Sequence, residues 1–390
     1  MNPWKSLREL PKELWIIFTT TLVNRAGTMA LPFLVLYLTR NLNFSSDEAA
    51  WVFIGYGIGA LVSAPFAGRL SDFIGHRKVM LLSLFLSSVV MMAYPVAESF
   101  AVVFGTTVLW AMTSEAFRPS SLAVITDLTE PDQRKSAYAL QRLAINIGMS
   151  IGPAVGGFLV LVSYTTLFVV NGMFALVAGF VLLFSPWKVV VSHETIPDSH
   201  HHDGNIFKDK RLLYFLMSVV PVIMVFFQHE SSMPLYLVND LHLHESAYGI
   251  LFTINTALII IAEVWLNLKM SHWKHNHTLA LGAILVGIGF GAMIIAIDIW
   301  TVALTVVIWT FGEMILFPGQ AAYMGEIAPP NRRGEYMGYY QMTFSLAFIL
   351  GPWIGIQIYE HWESDVLWIS MLGLGLLSAA LMSRIHSNQN

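Results

Sequence analysis

The chain has 390 residues, 56% of them hydrophobic and only 12% charged, against about a quarter charged in soluble domains. That composition excludes a soluble globular protein, and the absence of cysteine excludes disulfides, iron–sulfur clusters and thiolate metal sites. The formal net charge of −4 says little by itself; the positions of the charges say more.

A spanning helix needs about 20 apolar residues, and hydropathy offers twelve such stretches, six in each half. Solid apolar runs rather than alternation argue for helices over a barrel. The expected fold is an all-α integral membrane protein of twelve transmembrane helices in two pseudo-symmetric six-helix halves, residues 1–185 and 211–390, joined by a cytoplasmic linker at 186–210. The halves are two copies of one unit, because motifs return at a spacing of 199 residues. Trp110 falls on Trp309, Leu36-Tyr37-Leu38 on Leu235-Tyr236-Leu237, Pro119 on Pro318, Arg134 on Arg333, and Gly152-Pro153 with Gly156 on Gly351-Pro352 with Gly355. A duplicated membrane half is a transporter signal. Of the 21 Lys and Arg, seventeen fall on one side, only Arg40 falls on the other, and Arg25, Arg118 and Arg142 lie within spans. By the positive-inside rule both termini are cytoplasmic. The first apolar stretch lacks a small-residue cleavage site and reads as a retained span, not a signal peptide.

Span 1, residues 14–38, carries Asn24-Arg25 near its middle and Pro32 in its outer half. Arg25 sits about 16 Å deep, too deep to snorkel, so it faces the interior as a functional site or as a buried structural ion pair. Span 2, residues 49–67, ends in Gly68-Arg69-Leu70-Ser71-Asp72-Phe73-Ile74-Gly75-His76-Arg77-Lys78. Here the sequence resembles the major facilitator superfamily, whose cytoplasmic loop between spans 2 and 3 matches at Gly68, Asp72, Gly75, Arg77 and Lys78. The resemblance implies that this set gates the cytoplasmic face: Asp72 meets the positive end of a helix in the other half, and Arg77 pairs with an acid at the foot of span 4, where Asp127 stands.

Span 4, residues 101–125, places Glu115 at mid-membrane and Arg118 three residues on, on the same face. They form a local pair, or serve the substrate, or both. Span 5, residues 136–162, holds Arg142 and Asn146 one turn apart, then Gly148, Gly152 and Gly156 at intervals of four, with Pro153 and Gly157. Such a stripe lets a helix pack closely, and the proline removes a backbone hydrogen bond and bends the span. The pattern is similar to that of the drug:proton antiporter branch of the superfamily; ordinary small-residue packing also explains it. The linker's His200-His201-His202-Asp203 reads as solvated chain, and no metal or cofactor is expected. In the second half, span 7 carries Gln228-His229-Glu230, span 8 carries Glu263 and span 10 carries Glu313. The loop at 269–277 has Ser271 in the place of Asp72 and Lys274 in that of Gly75, so the gate is expected to be asymmetric.

The buried charges break the repeat. Arg25 aligns with Met224, Arg118 with Phe317 and Arg142 with Gln341, while Glu230 aligns with Leu31, Glu263 with Ala64 and Glu313 with Ser114. Ligands of such transporters sit near the midplane between the repeats. The expected substrate or proton site is therefore Arg25, Glu115, Arg118, Arg142, Asn146, Glu230 and Glu313. Glu230 or Glu313 is the expected proton carrier, since desolvation makes a carboxyl exchangeable near neutrality. The arginines are anion clamps, with Arg25 and Arg142 on the substrate. Arg25→Met and Arg142→Gln copy the second repeat and are expected to preserve folding.

An enzyme is not expected, because no nucleophile and base pair, metal-ligand set or phosphate loop is present. The expected function is secondary active transport: proton-coupled export, by antiport, of small amphiphilic or carboxylate-bearing solutes. Alternatives are an importer or facilitator of an anionic metabolite, such as an organic acid or siderophore, and a non-transporting membrane sensor. Asn24-Arg25 stands where many multidrug members carry an acid, and Pro119-Ser120-Ser121 follows Arg118 in place of a glycine-containing stretch. Neither feature fits a purely cationic drug specificity. The expected partners are the substrate, protons and the lipid bilayer, with no nucleic acid. The chain is expected to act as a monomer in the bacterial inner membrane.

Overall fold

The first span is not one helix. In this computed structural model, which describes residues 10–186, 206–243 and 246–385, α1 (Lys12–Ala26) ends at Gly27 and α2 (Ala30–Leu36) restarts at Ala30. Pro32 lies in the first turn of α2, where its missing N–H costs nothing but where a helix continuing from α1 would lose a bond and clash. The break frees backbone donors at membrane depth, where water cannot serve them. Asn171 takes them: its Oδ1 accepts from the Met29 N–H at 3.0 Å and the Ala30 N–H at 3.1 Å.

The first half continues with α3 (Ser46–Ile74), α4 (His76–Ala93), α5 (Phe100–Glu115) running into α6 (Phe117–Leu128), α7 (Arg134–Val162) and α8 (Tyr164–Phe184). The second half comprises α9 (Lys210–Phe226), a 3-10 turn (Phe227–Glu230), α10 (Ser232–Asn239), α11 (Ser246–Lys269), α12 (His275–Gly291), α13 (Ile299–Ile327), α14 (Arg333–His361) and α15 (Ser364–Ser383). Span 7 is thus interrupted as span 1 is, at the matching depth of the repeat. Among the described residues eleven helices are long and apolar enough to cross a membrane. With the broken first span they make a twelve-helix, all-α fold, and the described residues contain no strand. The histidine-rich stretch at 200–203 lies outside the described residues.

Span 2 runs further than hydropathy predicts. Helix α3 continues through Asp72 to Ile74, so the Gly68-to-Asp72 part of the motif is helical and only Gly75 separates α3 from α4. Gly75 has φ +99°, a left-handed geometry that a side chain resists, and nothing lies near its missing Cβ. The two halves meet along α3 and α14, along α7 with α11 and α13, and along α6 and α14. At the end of the bundle that carries Arg69, Arg134 and Arg333, the basic end, α3 and α14 touch backbone to backbone. A Cβ on Gly68 would overlap Gly334 O, and one on Gly338 would overlap Ala64 O.

The glycine stripe of α7 seats the broken first span. A Cβ on Gly148 would stand 2.6 Å from Arg25 Cβ, one on Gly152 2.9 Å from Thr28 O, and one on Gly156 2.9 Å from the Phe33 ring. Gly157 lies beside the same ring, and α7 continues unbroken through Pro153. In the second half a Cβ on Gly351 would stand 3.0 Å from Met224 O, and one on Gly355 would overlap Gln228 Oε1. The stripe therefore fixes where each interrupted span bends, and with it where Arg25 leaves the backbone.

Candidate functional site

At the basic end, a carboxylate on one half caps a helix of the other. Asp72 Oδ1 accepts from the Gly334 N–H at 2.7 Å and Oδ2 from the Glu335 N–H at 2.8 Å, in the first turn of α14. Those donors have no partner within the helix, and the helix dipole adds positive potential there. Around them Glu335 takes both Arg69 and Arg332, each at 2.6 Å. Asp127 corrects one expectation. Its basic partners are Arg333, from the other half, and His76 at 3.3 Å. Arg77 instead donates to the carbonyls of Leu182 and Leu183, each at 2.9 Å, and of Ser185 at 3.3 Å. Residue 77 lies one position along α4 from His76, about 100° round the helix, and so turns toward the foot of α8 while His76 faces α6. For Lys78, 199 residues before His277, the structure gives no cross-half partner among the described residues.

This end is closed, and Asp72 helps to hold it so. Asp72→Asn keeps an acceptor oxygen but loses the charge, a loss of about 1–2 kcal/mol. We expect turnover to fall roughly tenfold while substrate affinity stays within about twofold. A large fall in affinity in the folded variant would place Asp72 in the substrate site and overturn this prediction.

Deeper in the membrane, Arg142 of α7 reaches across to two carboxylates of the other half. Its Nε lies 2.5 Å from Glu263 Oε1 and its NH2 group 2.7 Å from Glu313 Oε1. Neither acid is appreciably exposed, at 0% and 6% of their side chains. The guanidinium carbon also stands 4.8 Å from the centre of the Phe317 ring, an attractive arrangement in a dry site. Glu313 Oε2 accepts from Asn255 Nδ2 at 2.9 Å, whereas Glu263 Oε2 is buried without a hydrogen-bond partner. Two carboxylates and one guanidinium leave this cluster one negative charge in excess. Buried charge that is not balanced is costly, so the cluster has a place for one positive charge.

A second cluster lies wholly in the first half. Arg118 NH1 lies 3.4 Å from Glu115 Oε2, and the Tyr56 hydroxyl donates to Glu115 Oε1 at 3.3 Å. Arg25 is an electrostatic neighbour of both Glu115 and Arg118. Its Nε is buried without a hydrogen-bond partner, and no ion pair of Arg25 occurs among the described residues. Two guanidiniums and one carboxylate leave this cluster with one positive charge in excess. The Tyr56 and Trp110 rings pack edge to face, centres 5.1 Å apart, beside it. Tyr340, buried and donating to Gln320 Oε1 at 3.1 Å, is within electrostatic reach of both Arg118 and Arg142 and so joins the two clusters.

Two expected members stand elsewhere. Glu230 is not buried: its side chain is 46% exposed on the 3-10 turn, 3.5 Å from His229 Nε2. A 3-10 turn advances about 120° per residue instead of 100°, which turns position 230 away from the face that a regular helix would present. Asn146 spends its amide on the Arg142 carbonyl at 3.0 Å, one turn back in its own helix. Glu263, Asn255, Tyr56 and Tyr340 were not among the expected site residues. For Glu263 a signal existed, since it is a buried acid with alanine in the other repeat.

The described architecture agrees with comparisons to known proteins. A family model described as Major Facilitator Superfamily matches residues 16–239 and 230–387. Over 365 residues the chain is 26% identical to the uncharacterized MFS-type transporter YqjV of Bacillus subtilis (strain 168), covering 91% of this chain and 87% of that protein. It is 24% identical over 185 residues to the quinolone resistance protein NorA of Staphylococcus aureus, covering 46% of this chain and 47% of NorA. Among solved structures, the human organic anion transporter MFSD10 (TETRAN) is similar with a TM-score of 0.73 at 16% identity, over 95% of this chain and 98% of that one, a likeness of fold. Two copies of one helical half, each reached by the same family model, leave one conclusion: the chain belongs to the Major Facilitator Superfamily and is a membrane transporter, not an enzyme.

Proposed function

We propose that this transporter couples proton movement to the export of small amphiphilic or carboxylate-bearing solutes across the bacterial inner membrane, with the basic end in the cytoplasm. One observation carries the reading: Arg142 of one half is held between Glu263 and Glu313 of the other, with one negative charge to spare. While both acids are ionised, their attraction to Arg142 keeps the halves together beneath the midplane. A proton arriving from the outer side removes part of that attraction and frees the halves to separate at the basic end. A ligand shifts such an equilibrium only through contacts that differ between its states, and this proton makes such a difference. The local likeness to NorA, a quinolone resistance protein, supports export.

The positive cluster at Arg25, Glu115 and Arg118 suits the carboxylate of a substrate, with Tyr56 and Trp110 beside it for an apolar portion. Because an anion and a proton balance the two clusters separately, a second reading is their movement together, as in uptake of an anionic metabolite. Purified protein in liposomes with an imposed pH gradient tests both. Export by antiport predicts that solute moves against the proton flow, and uptake by symport predicts that it moves with it. No response to the gradient would remove proton coupling altogether.

In the same assay Arg25→Met is expected to reduce transport of carboxylates about tenfold or more, since a hydrogen bond to a charged group is worth about 1.5–3 kcal/mol. Uncharged amphiphiles should be carried as before. Unchanged carboxylate transport by this variant, or transport of permanent cations alone, would overturn the assignment of Arg25.

A further inference from the structure

The repeat at 199 residues predicts a second gate beside the Asp72 gate, on the pseudo-symmetric side of the same closed end. Its carboxylate is missing. Ser271 stands in the place of Asp72, and its hydroxyl donates to Leu268 O at 3.0 Å within its own turn. Facing it, however, Lys135 stands in the place of Gly334. Lys135 is the second residue of α7 and 1% exposed. Its Nζ crosses to the other half and donates to Trp273 O at 2.6 Å and Met270 O at 3.2 Å, with Thr278 Oγ1 at 3.5 Å. Those carbonyls belong to the turn just past the end of α11 at Lys269, near the negative end of the helix dipole, and Met270 O also accepts from the Trp273 N–H at 3.0 Å.

We propose that Lys135 is a positioning residue of the transport cycle, forming a second latch whose polarity is the reverse of the Asp72 latch. On one side a carboxylate of the first half caps a helix N-terminus of the second. On the other an ammonium of the first half takes carbonyls of the turn that follows a helix C-terminus of the second. Loss of the acid at 271 and presence of the lysine at 135 are complementary: an aspartate at 271 would meet a helix start, whereas Ser271 leaves the carbonyls of the turn after α11 as the available partner. Both latches exist only while α7 lies on α11 and α3 on α14, so opening this end breaks both. A fully buried ammonium with backbone acceptors in the other half ties its own solvation to closure.

The test uses the absence of cysteine in the sequence. Asp132→Cys and His272→Cys lie on exposed turns of the two halves, flanking the Lys135 contact, and carry a spin-label pair in liposomes. In Lys135→Met the population with the longer inter-label distance should rise about tenfold or more relative to the shorter one, as expected for loss of charge-assisted bonds. Turnover should change with it, while KM stays within about twofold. Lys135→Gln keeps one donor and should lie between, and it carries the test where Lys135→Met does not fold. With Asp72→Asn added, the two changes in the open-to-closed ratio should multiply, because both latches bias one equilibrium. A distance distribution in Lys135→Gln and Lys135→Met identical to the parent's would overturn the proposal. So would a tenfold rise in KM with unchanged distances, which would place Lys135 on the substrate path.

Discussion

Arg142→Gln is expected to destabilise the folded protein by about 3–5 kcal/mol and to abolish transport. In isolation the change looks mild, since glutamine occupies the matching position 341 of the second repeat. The surroundings differ, however. Position 142 faces Glu263 and Glu313, both buried, whereas Arg142 itself is the cation that makes them tolerable. Removing it leaves two uncompensated carboxylates in a region where charge is costly, the most damaging way to break a buried ion pair. The expectation that glutamine at 142 preserves folding, drawn from the repeat alone, therefore does not hold at this position. The double variant Arg142→Gln with Glu263→Gln should regain much of the lost stability, because it removes one of the stranded charges, yet it should not regain transport. Thermal unfolding in detergent, read as a double-mutant cycle, measures the first effect and proteoliposome flux the second. A single variant as stable as the parent would show that the ion pairs contribute little.

The sequence carries the architecture because membrane helices are set by local hydropathy and the repeat by register, and both are read along one line. It carries less of the site, because depth along a helix is legible but direction around it is not. Glu230 and Glu313 both lie at plausible depth, yet Glu230 on the 3-10 turn at Phe227–Glu230 is left 46% exposed while Glu313 on α13 is buried. Glu263 stands toward the Lys269 end of α11, and only the packing of α7 on α11 brings it within reach of the long Arg142 side chain. The break in span 1 is signalled by Pro32, but the residue that stabilises it, Asn171, is more than a hundred positions away. Lys135 had a signal of a different kind. Comparing the repeats position by position shows what was lost at 271; comparing them as facing pairs also shows what stands opposite, at 135.

Two clusters of opposite net charge, one within the first half and one bridging the halves, also bear on how substrate and proton are kept from interfering. The positive cluster is assembled from α1 and the α5–α6 span, and its stance depends on the glycine stripe of α7 beneath the break. Arg142 lies on that same α7 helix, about 1.7 turns before Gly148. Movement of α7 away from α11 and α13 would therefore carry the seat of Arg25 with it, linking the two clusters through one rigid element. Tyr340 of α14 lies within electrostatic reach of both Arg118 and Arg142 from the other half.

Glu263→Gln and Glu313→Gln are each expected to reduce accumulation driven by a pH gradient while leaving exchange of substrate down its own gradient. A glutamine balances the cluster permanently, imitating the protonated state, so the attraction across the halves no longer answers to pH. Folding should survive, because the change removes the excess charge instead of creating one. The two acids are not equivalent. Both oxygens of Glu313 are engaged, by Arg142 and by Asn255, and its side chain retains slight exposure. Glu263 has a single partner, and its buried Oε2 has none. We therefore expect the proton to reside on Glu263 after entering past Glu313, and Glu263→Gln to have the larger effect, at least about tenfold on gradient-driven accumulation, one decade being about 1.4 kcal/mol. Glu230→Gln, on its exposed turn, should leave the response to the gradient intact. If both buried variants still concentrate substrate, proton coupling does not pass through the Arg142 cluster; if Glu230→Gln alone loses the response, the carrier is the acid on the turn.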